Sequence, residues 1–321
     1  MLRRTDGCAP HLPHDLTGRH TGRMVDGRER GWLLAAVGML LVSTDSFFIR
    51  MADFDAWTVS FVFGVASTIA LGTYFLVTTR EPAVSVVRRE PWTLAGLAAL
   101  SSCTQLAFVG AVNNTAVSNV VVIVASTPIV SAALAWLLLG ERTDRRVAVA
   151  IGITLVGIVI VVGASLGTPT FDGDLLALLA ILLVSLSLVL WRRSPRINRP
   201  LTLACSSATM AVIAAPFASV GAAPTEVFVA AGVMGLLFNP LGRLAYTTAP
   251  RYAPTADVAL FTPIETVAAT LWAWWFFDER PSLATTVGGV VVLTGVLYGT
   301  IGRRPGHGRP VDVVATTEPT T

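Results

Sequence analysis

The sequence has little charge and contains no lysine. Charged side chains make up 13% of its 321 residues, and all 23 basic residues are arginine. A soluble domain usually devotes about a quarter of its residues to charged side chains. The mean hydropathy is +0.68. Such a chain lacks the polar groups to cover its own surface in water, so most of its surroundings must be lipid.

Residues that often carry chemistry are also scarce. The four histidines lie at positions 11, 14, 20 and 307, outside the apolar part of the chain, and the three cysteines show no metal-type spacing. The sequence has no H-E-x-x-H or G-x-S-x-G motif, so we expect neither an enzyme nor a metal or cofactor. The arginines are scattered between apolar runs, which argues against a nucleic-acid partner.

What the sequence has in abundance is apolar segments. There are ten of them, at 31–50, 56–79, 91–111, 115–138, 146–166, 174–191, 200–220, 226–246, 254–277 and 283–302. Each is long enough, or nearly so, to cross about 30 Å of hydrocarbon as a helix of about 20 residues. We therefore predict ten transmembrane helices, segments 1 to 10. Residues 1–30 and 303–321 are expected to be disordered tails, and Met24 is an alternative translation start.

The distribution of arginine supports this count. If the N-terminus is cytoplasmic, 21 of the 23 arginines fall on the cytoplasmic side, and only Arg50 and Arg280 fall outside. Omitting or adding one crossing would destroy that asymmetry. By the positive-inside rule we expect a multi-pass protein of the inner cell membrane with both termini in the cytoplasm.

A shift of 138 residues lays the second half of the sequence on the first. The most informative matches occur without a gap: Trp136, Glu141 and Arg142 fall on Trp274, Glu279 and Arg280. Five helices is an odd number, so two such units would enter the membrane from opposite sides. The sequence therefore predicts an all-α membrane protein made of two inverted five-helix repeats, 31–166 and 174–302, as is typical of secondary transporters.

Two stretches carry a family resemblance. One runs from Ala111-Val-Asn-Asn-Thr-Ala-Val-Ser through Thr127-Pro128-Ile-Val to Leu138-Leu-Gly140-Glu141-Arg142; the other is Gly173-Asp174-Leu-Leu-Ala-Leu-Leu-Ala, running on to Trp191. They resemble the drug/metabolite transporter superfamily, specifically its EamA-like families. The resemblance implies a central cavity lined mainly by segments 1, 3, 4, 6, 8 and 9, with segments 5 and 10 peripheral. Two departures are the absence of arginine near Val62-Phe63 and Thr266 in place of the signature proline.

Charges inside the apolar segments need a reason, because a charged side chain near the bilayer centre costs about 2.5–3.5 kcal/mol even on lenient scales. Glu265 lies near mid-depth in segment 9 on one helical face with Trp272, and its repeat partner is Thr127 in segment 4. A carboxyl group held away from water favours its neutral form, which suits reversible proton binding. We interpret Glu265 as a proton-coupling or substrate-amine site; the alternative is a protonated carboxyl that fixes helix packing.

Asp45 and Arg243 are the other two charges. Asp45 lies near the outer end of segment 1, where it could contact substrate, couple transport or simply reach the outer water. Arg243 shares one face of segment 8 with Asn239 and Tyr246, and the equivalent face of segment 3 carries Gln105. These matching polar faces predict a cavity wall, although Arg243 could instead extend to the lipid headgroups.

Two further pairs complete the candidates. Asn119 and Asp257 are repeat partners that could cap segments 4 and 9 or line the entrances. Gly295 and Gly299 form a small-xxx-small pair in segment 10 that indicates close packing or a homodimer.

The sequence as a whole predicts a secondary active transporter that exports or exchanges a small polar metabolite or drug-like solute by alternating access, with proton coupling as an option. The expected partners are that solute, membrane lipid and protons. A channel or facilitator is the closest alternative. A membrane-embedded sensor would usually add a soluble output domain, and the polar tails are too short for one.

Overall fold

The computed structural model describes residues 17–79, 81–139, 145–194, 197–249, 252 and 261–300, and these residues form helices without any strand. The helices are α1 (Thr17–Val42), α2 (Thr44–Ala52), α3 (Ala56–Thr78), α4 (Ala83–Arg89), α5 (Pro91–Asn114), α6 (Val117–Ala125), α7 (Thr127–Leu139), α8 (Arg145–Ala164), α9 (Phe171–Arg193), α10 (Arg199–Ala214), α11 (Thr225–Val233), α12 (Asn239–Thr248), α13 (Thr262–Phe277) and α14 (Leu283–Thr300). A π-helical turn, Met234–Phe238, joins α11 to α12. Helix occupies part or all of each of the ten predicted segments.

Five stretches of the described chain are long and apolar enough to cross a membrane: Glu29–Ala52, Ala56–Thr78, Pro91–Asn114, Arg199–Phe217 and Thr225–Thr248. Two shorter apolar helices, Ala148–Ala164 and Leu283–Tyr298, accompany them. Large apolar side chains are exposed on the helix surfaces, and Val77, for example, is 81% exposed. A surface of this kind is stable in lipid rather than in water, so the chain is a multi-pass membrane protein.

The first helix begins earlier than the sequence pattern predicts. Residues 17–30, which the pattern assigns to a disordered tail, form the first turns of α1. The last prolines of the N-terminal region are Pro10 and Pro13, and the stretch that follows is rich in arginine, a good helix former. This stretch contains no proline, so the apolar helix extends backwards into polar sequence in spite of Gly18, Gly22 and Gly27.

Two of the predicted segments are interrupted at a serine. Ser43 separates α1 from α2, and its hydroxyl donates to the carbonyl oxygen of Leu40 at 2.7 Å. Ser126 separates α6 from α7 and donates to Ile123 O at 2.6 Å. A hydroxyl bonded to its own helix competes with the backbone ladder and bends the helix. Segments 1 and 4 are therefore perturbed at these serines, both of which keep right-handed helical dihedral angles, and segment 8 is disturbed by its π-helical turn.

Helix packing follows the repeat. The most extensive contacts join α8 to α14, α3 to α10, α5 to α9 and α1 to α12. The first two pairs join equivalent helices of the two halves, and the last two pairs exchange with each other under the 138-residue shift. Both halves therefore contribute to one core, in which Ile49, Val120 and Met234 are almost fully buried.

Close backbone contact sets the position of α12 against α1. A Cβ added at Gly38 would lie 2.8 Å from the backbone nitrogen of Tyr246 and 3.0 Å from the carbonyl oxygen of Gly242, so only glycine fits. Gly295 plays a comparable part in the α8–α14 pair, since its added Cβ would lie 2.5 Å from Thr154 Oγ1. Gly295 thus packs within the chain.

Candidate functional site

A buried carboxylate lies directly after the break in segment 1. Asp45 is 5% exposed, and its Oδ2 accepts a hydrogen bond from Nδ2 of Asn239 at 2.5 Å. Asn239 is 2% exposed and is the first residue of α12, immediately after the π-helical turn. The other oxygen, Asp45 Oδ1, has no hydrogen-bond partner among the described residues. The carboxylate is therefore enclosed between α2 and α12, largely away from solvent, with one acceptor oxygen still available.

Arg243 turns inward, towards segment 3. Its Nη2 donates to Oε1 of Gln105 at 2.8 Å, and both side chains are partly buried. The two residues are 138 positions apart and so occupy equivalent places in the two halves. Arg243 thus contacts protein on the face that the sequence predicts to be a cavity wall.

Glu265 completes a group of three charges. It is partly buried in the first turn of α13 and interacts electrostatically with Arg243 and with Asp45. Asp45 and Arg243 also interact with each other. We call Asp45, Arg243 and Glu265, with the amide partners Asn239 and Gln105, the central charge cluster. Its members come from α2, α5, α12 and α13, and hence from both halves of the chain.

The other candidates Trp272, Tyr246 and Thr127 make three different kinds of contact. Trp272 Nε1 donates to Ser43 Oγ at 3.2 Å, which ties α13 to the break just before Asp45. Tyr246 packs beside Ala35 and Ala249, along the α1–α12 contact. The hydroxyl of Thr127, the repeat partner of Glu265 in the other half, donates to the carbonyl of Val124 at 2.6 Å and so bonds within its own segment.

Asn119 belongs to a second polar network. Its Nδ2 lies 3.3 Å from both carboxylate oxygens of Asp174, and its Oδ1 accepts from the hydroxyl of Thr285. Asp174 is 0% exposed and also accepts from Thr115 Oγ1 at 2.8 Å. Sequence reasoning does not single out Asp174, although it lies in the Gly-Asp motif that opens segment 6. Asp257, the repeat partner of Asn119, lies outside the described residues.

A third polar group joins the helix ends at Arg50 and Glu279. Arg50 Nη2 lies 3.4 Å from Glu279 Oε2 and donates to the carbonyl oxygen of Thr115 at 2.9 Å. Glu279 Oε1 also accepts from the backbone N–H of Val117, at the start of α6. A cleft of about 730 Å³ opens at this end, lined by Arg50, Met51, Asp53, Asn113, Asn114, Thr115, Ala116, Thr170, Phe277 and Glu279. In the sequence, Glu279 stands out only as part of the repeat.

Three comparisons with known proteins bear on this arrangement. The model of the EamA-like transporter family matches twice, over residues 29–163 and 172–300. A solved structure titled "Crystal structure of protein" aligns with a TM-score of 0.57 at 19% identity, covering 86% of this chain and 99% of that one. At that identity the likeness concerns the fold. No curated protein matches.

The family match confirms the resemblance carried by the signature stretches. It covers both halves of the chain and includes every described member of the central charge cluster. A transporter family also accounts for a lipid-facing surface around a small set of buried charges. The chain belongs to the EamA-like transporter family.

Proposed function

We propose that this protein is a secondary active transporter that exports or exchanges a small polar metabolite or drug-like solute by alternating access, with transport coupled to protons. The proposal is carried by the central charge cluster, in which both halves of the chain contribute charged or amide side chains to one place. A charge buried in a membrane protein is expensive and therefore usually serves a function. Three interacting charges at one site are the expected signature of a solute or proton pathway.

The helix interruptions support this assignment. Asp45 follows the Ser43 break, and Asn239 follows the π-helical turn. Irregular turns within helices, such as π-helical turns, occur often at functional sites, and they provide points of bending. The cluster thus lies where the backbone is best able to change between two arrangements.

We assign the roles within the site by geometry. Asp45 Oδ1, buried and without a described donor, is placed to accept a hydrogen bond from a donor group of the solute. Arg243, held by Gln105, presents a cation to an acceptor group. Glu265 carries the proton. When the amine of a solute leaves the site, protonation neutralises the Glu265 carboxylate and leaves no unpaired negative charge there. Around them, Trp272, Tyr246 and Thr127 contribute to the wall of the pathway, and Asn119 and Asp257 to its ends.

The proposed topology follows from the arginines and the repeat. We propose ten crossings in two inverted repeats, 31–166 and 174–302, in the inner cell membrane, with residues 1–30 and 303–321 on the cytoplasmic side. Rocking of one five-helix unit against the other would then expose the central charge cluster to each side in turn. A homodimer is compatible with this arrangement and is not required by it.

Reconstituted transport tests the proposal. Proteoliposomes that contain the purified protein are loaded either with ethidium, as a drug-like probe, or with a ¹³C-labelled extract of cell metabolites. A pH gradient is then imposed, and efflux of the solute is followed by fluorescence or by mass spectrometry. We expect pH-driven efflux of at least one solute, loss of the pH dependence in Glu265→Gln, and unchanged efflux in Glu226→Gln, an exposed carboxylate at the start of α11.

The same preparation separates a carrier from a channel. A carrier shows saturation and counter-exchange, whereas flux through a channel rises in proportion to concentration and shows no exchange. Efflux that is linear in concentration would refute alternating access. If efflux by Glu265→Gln keeps its full pH dependence, the proton role of Glu265 is refuted, whereas the transport function is not.

A further inference from the structure

We propose that Arg50 and Glu279 form a latch that closes the outer side of the transport path, and that the latch opens during each transport cycle. The latch presupposes the transport function proposed above, because a gate has meaning only where one site faces two sides in turn. It concerns residues that are not members of the central charge cluster, and it gives a role to the part of the sequence repeat that contains Glu279.

The latch joins three helix ends from the two halves of the chain. Glu279 follows α13, Arg50 lies in the last turn of α2, and Val117 is the first residue of α6. The Glu279 carboxylate accepts from both Arg50 and the Val117 N–H, while Arg50 reaches across to the carbonyl of Thr115. These helix ends cannot separate without breaking those contacts.

The backbone is shaped to place the two side chains together. Among the described residues, the only non-glycine residues with positive φ are Asp53 (41°) and Asp278 (50°). Asp53 ends α2 just after Arg50, and Asp278 ends α13 just before Glu279. Aspartate tolerates this left-handed conformation better than most residues. The turn at Asp278 brings Glu279 back over its own helix, where its N–H donates to Ala273 O at 3.2 Å.

The latch borders the open cleft, and the central charge cluster does not. The cleft is lined by both Arg50 and Glu279, but by no member of the cluster. Close to the latch residues in the chain, side chains of the shared apolar core are almost fully buried, with Ile49 and Val117 1% exposed and Val120 0% exposed. In the proposed cycle, a solute enters from the cleft when α2, α6 and α13 move apart and uncover these side chains.

The latch is also suited to being broken repeatedly. The Arg50 side chain is 28% exposed and that of Glu279 is 17% exposed, so both can exchange their mutual contacts for water when the helix ends part. In a fully buried ion pair, by contrast, each charge would lose its partner without gaining water when the helix ends part, which is costly. The neighbouring Asp278–Arg280 pair has nearly the same spacing, but its side chains are 83% and 78% exposed and it joins no helices. That pair provides a matched control.

Accessibility of a buried reporter measures the state of the latch directly. In a background with Cys8, Cys103 and Cys205 replaced by serine, Val120→Cys is labelled by a membrane-impermeant thiol reagent added on the non-cytoplasmic side. We expect Glu279→Gln and Arg50→Gln each to raise the labelling rate about tenfold, because each removes charged hydrogen bonds that hold the helix ends together. Arg280→Gln should leave the rate unchanged. Equal rates in the latch variants and the parent, or an equal rise in Arg280→Gln, would overturn the proposal.

A cross-link provides the second measurement and does not depend on a weakened fold. In Arg50→Cys/Glu279→Cys, a bifunctional methanethiosulfonate reagent that spans the length of the two original side chains should abolish transport of the probe solute, and reduction should restore it. Full transport by protein shown to be cross-linked would overturn the latch. Because labelling needs no transported solute, the two proposals fail separately. Altered labelling without any transport would show that the contact closes the helix ends but would reject the transport function, whereas transport with unaltered labelling would reject the latch and retain the function.

Discussion

Removal of the amide that faces Asp45 should destabilise the protein more than removal of an ordinary buried amide. In Asn239→Ala the only described hydrogen bond to the Asp45 carboxylate is lost, at a place where Asp45 is 5% exposed. A hydrogen bond to a charged group contributes about 1.5–3 kcal/mol, and a buried acceptor left without a donor incurs its desolvation cost. We therefore expect the free energy of unfolding to fall by about 2–3 kcal/mol, roughly a 30- to 150-fold change in the folding equilibrium.

The matched control is Asn113→Ala. Asn113 Nδ2 donates at 2.7 Å to the carbonyl oxygen of Phe54, a neutral acceptor, and the side chain is only partly buried. A neutral hydrogen bond contributes about 0.5–1.5 kcal/mol, so the loss here should be about half as large. Unfolding is followed by SDS titration in mixed micelles, with tryptophan fluorescence and helicity as two probes of the same transition.

A double-mutant cycle with Asp45→Ala isolates the pair. If the hydrogen bond is responsible, Asn239→Ala should have little further effect once the carboxylate is gone, and the coupling energy should exceed about 1 kcal/mol. Additive effects, or a loss in Asn239→Ala no larger than in Asn113→Ala, would refute the reasoning. In that case the Asp45–Asn239 contact would not hold α2 against α12.

Three further substitutions probe other parts of the fold. Gly38→Leu should greatly lower the yield of monodisperse protein in size-exclusion chromatography, because a side chain there meets the backbone of α12, whereas Gly72→Leu, with open space around its Cβ position, should be tolerated. Asp174→Asn should lower the free energy of unfolding by about 1.5–3 kcal/mol, since it disturbs a fully buried network, while exposed Asp172→Asn should change it by less than about 0.5 kcal/mol. Trp272→Phe should cost about 0.5–1.5 kcal/mol by removing the donor to the serine between α1 and α2, and an unchanged SDS midpoint would contradict that contact.

The charges of the central cluster can be recognised from the amino-acid sequence alone. Asp45, Arg243 and Glu265 stand out because a charge is rare within an apolar segment, and the 138-residue repeat matches Arg243 with Gln105, which the fold brings into contact. The described residues are helical, as predicted, and the EamA-like resemblance is confirmed. These predictions succeed for one physical reason. Lipid excludes unpaired polar groups so strongly that the positions of polar residues in the sequence leave few possible structures.

Other contacts cannot be deduced from the sequence pattern. Thr127 shares its repeat position with Glu265, yet its hydroxyl is bonded to its own segment. Asp174 and Glu279 lie at helix ends, where a charge is common and predicts nothing by itself. The partner of each carboxylate depends on how two separate helix ends meet. The helical period of 3.6 residues shows which residues share a face, but it does not show which other helix packs against that face.

Hydrophobicity and helical periodicity act locally along the chain, so the residue pattern alone shows that this protein is embedded in lipid, that its chain is helical and repeated, and which few charges need an explanation. The fold is needed to show that Asp45 bonds Asn239 between segments 1 and 8, and that Glu279 joins the ends of α2 and α13 to the start of α6. Those contacts join residues 194 and 162 positions apart, and they depend on the angles and close glycine contacts with which the helices pack.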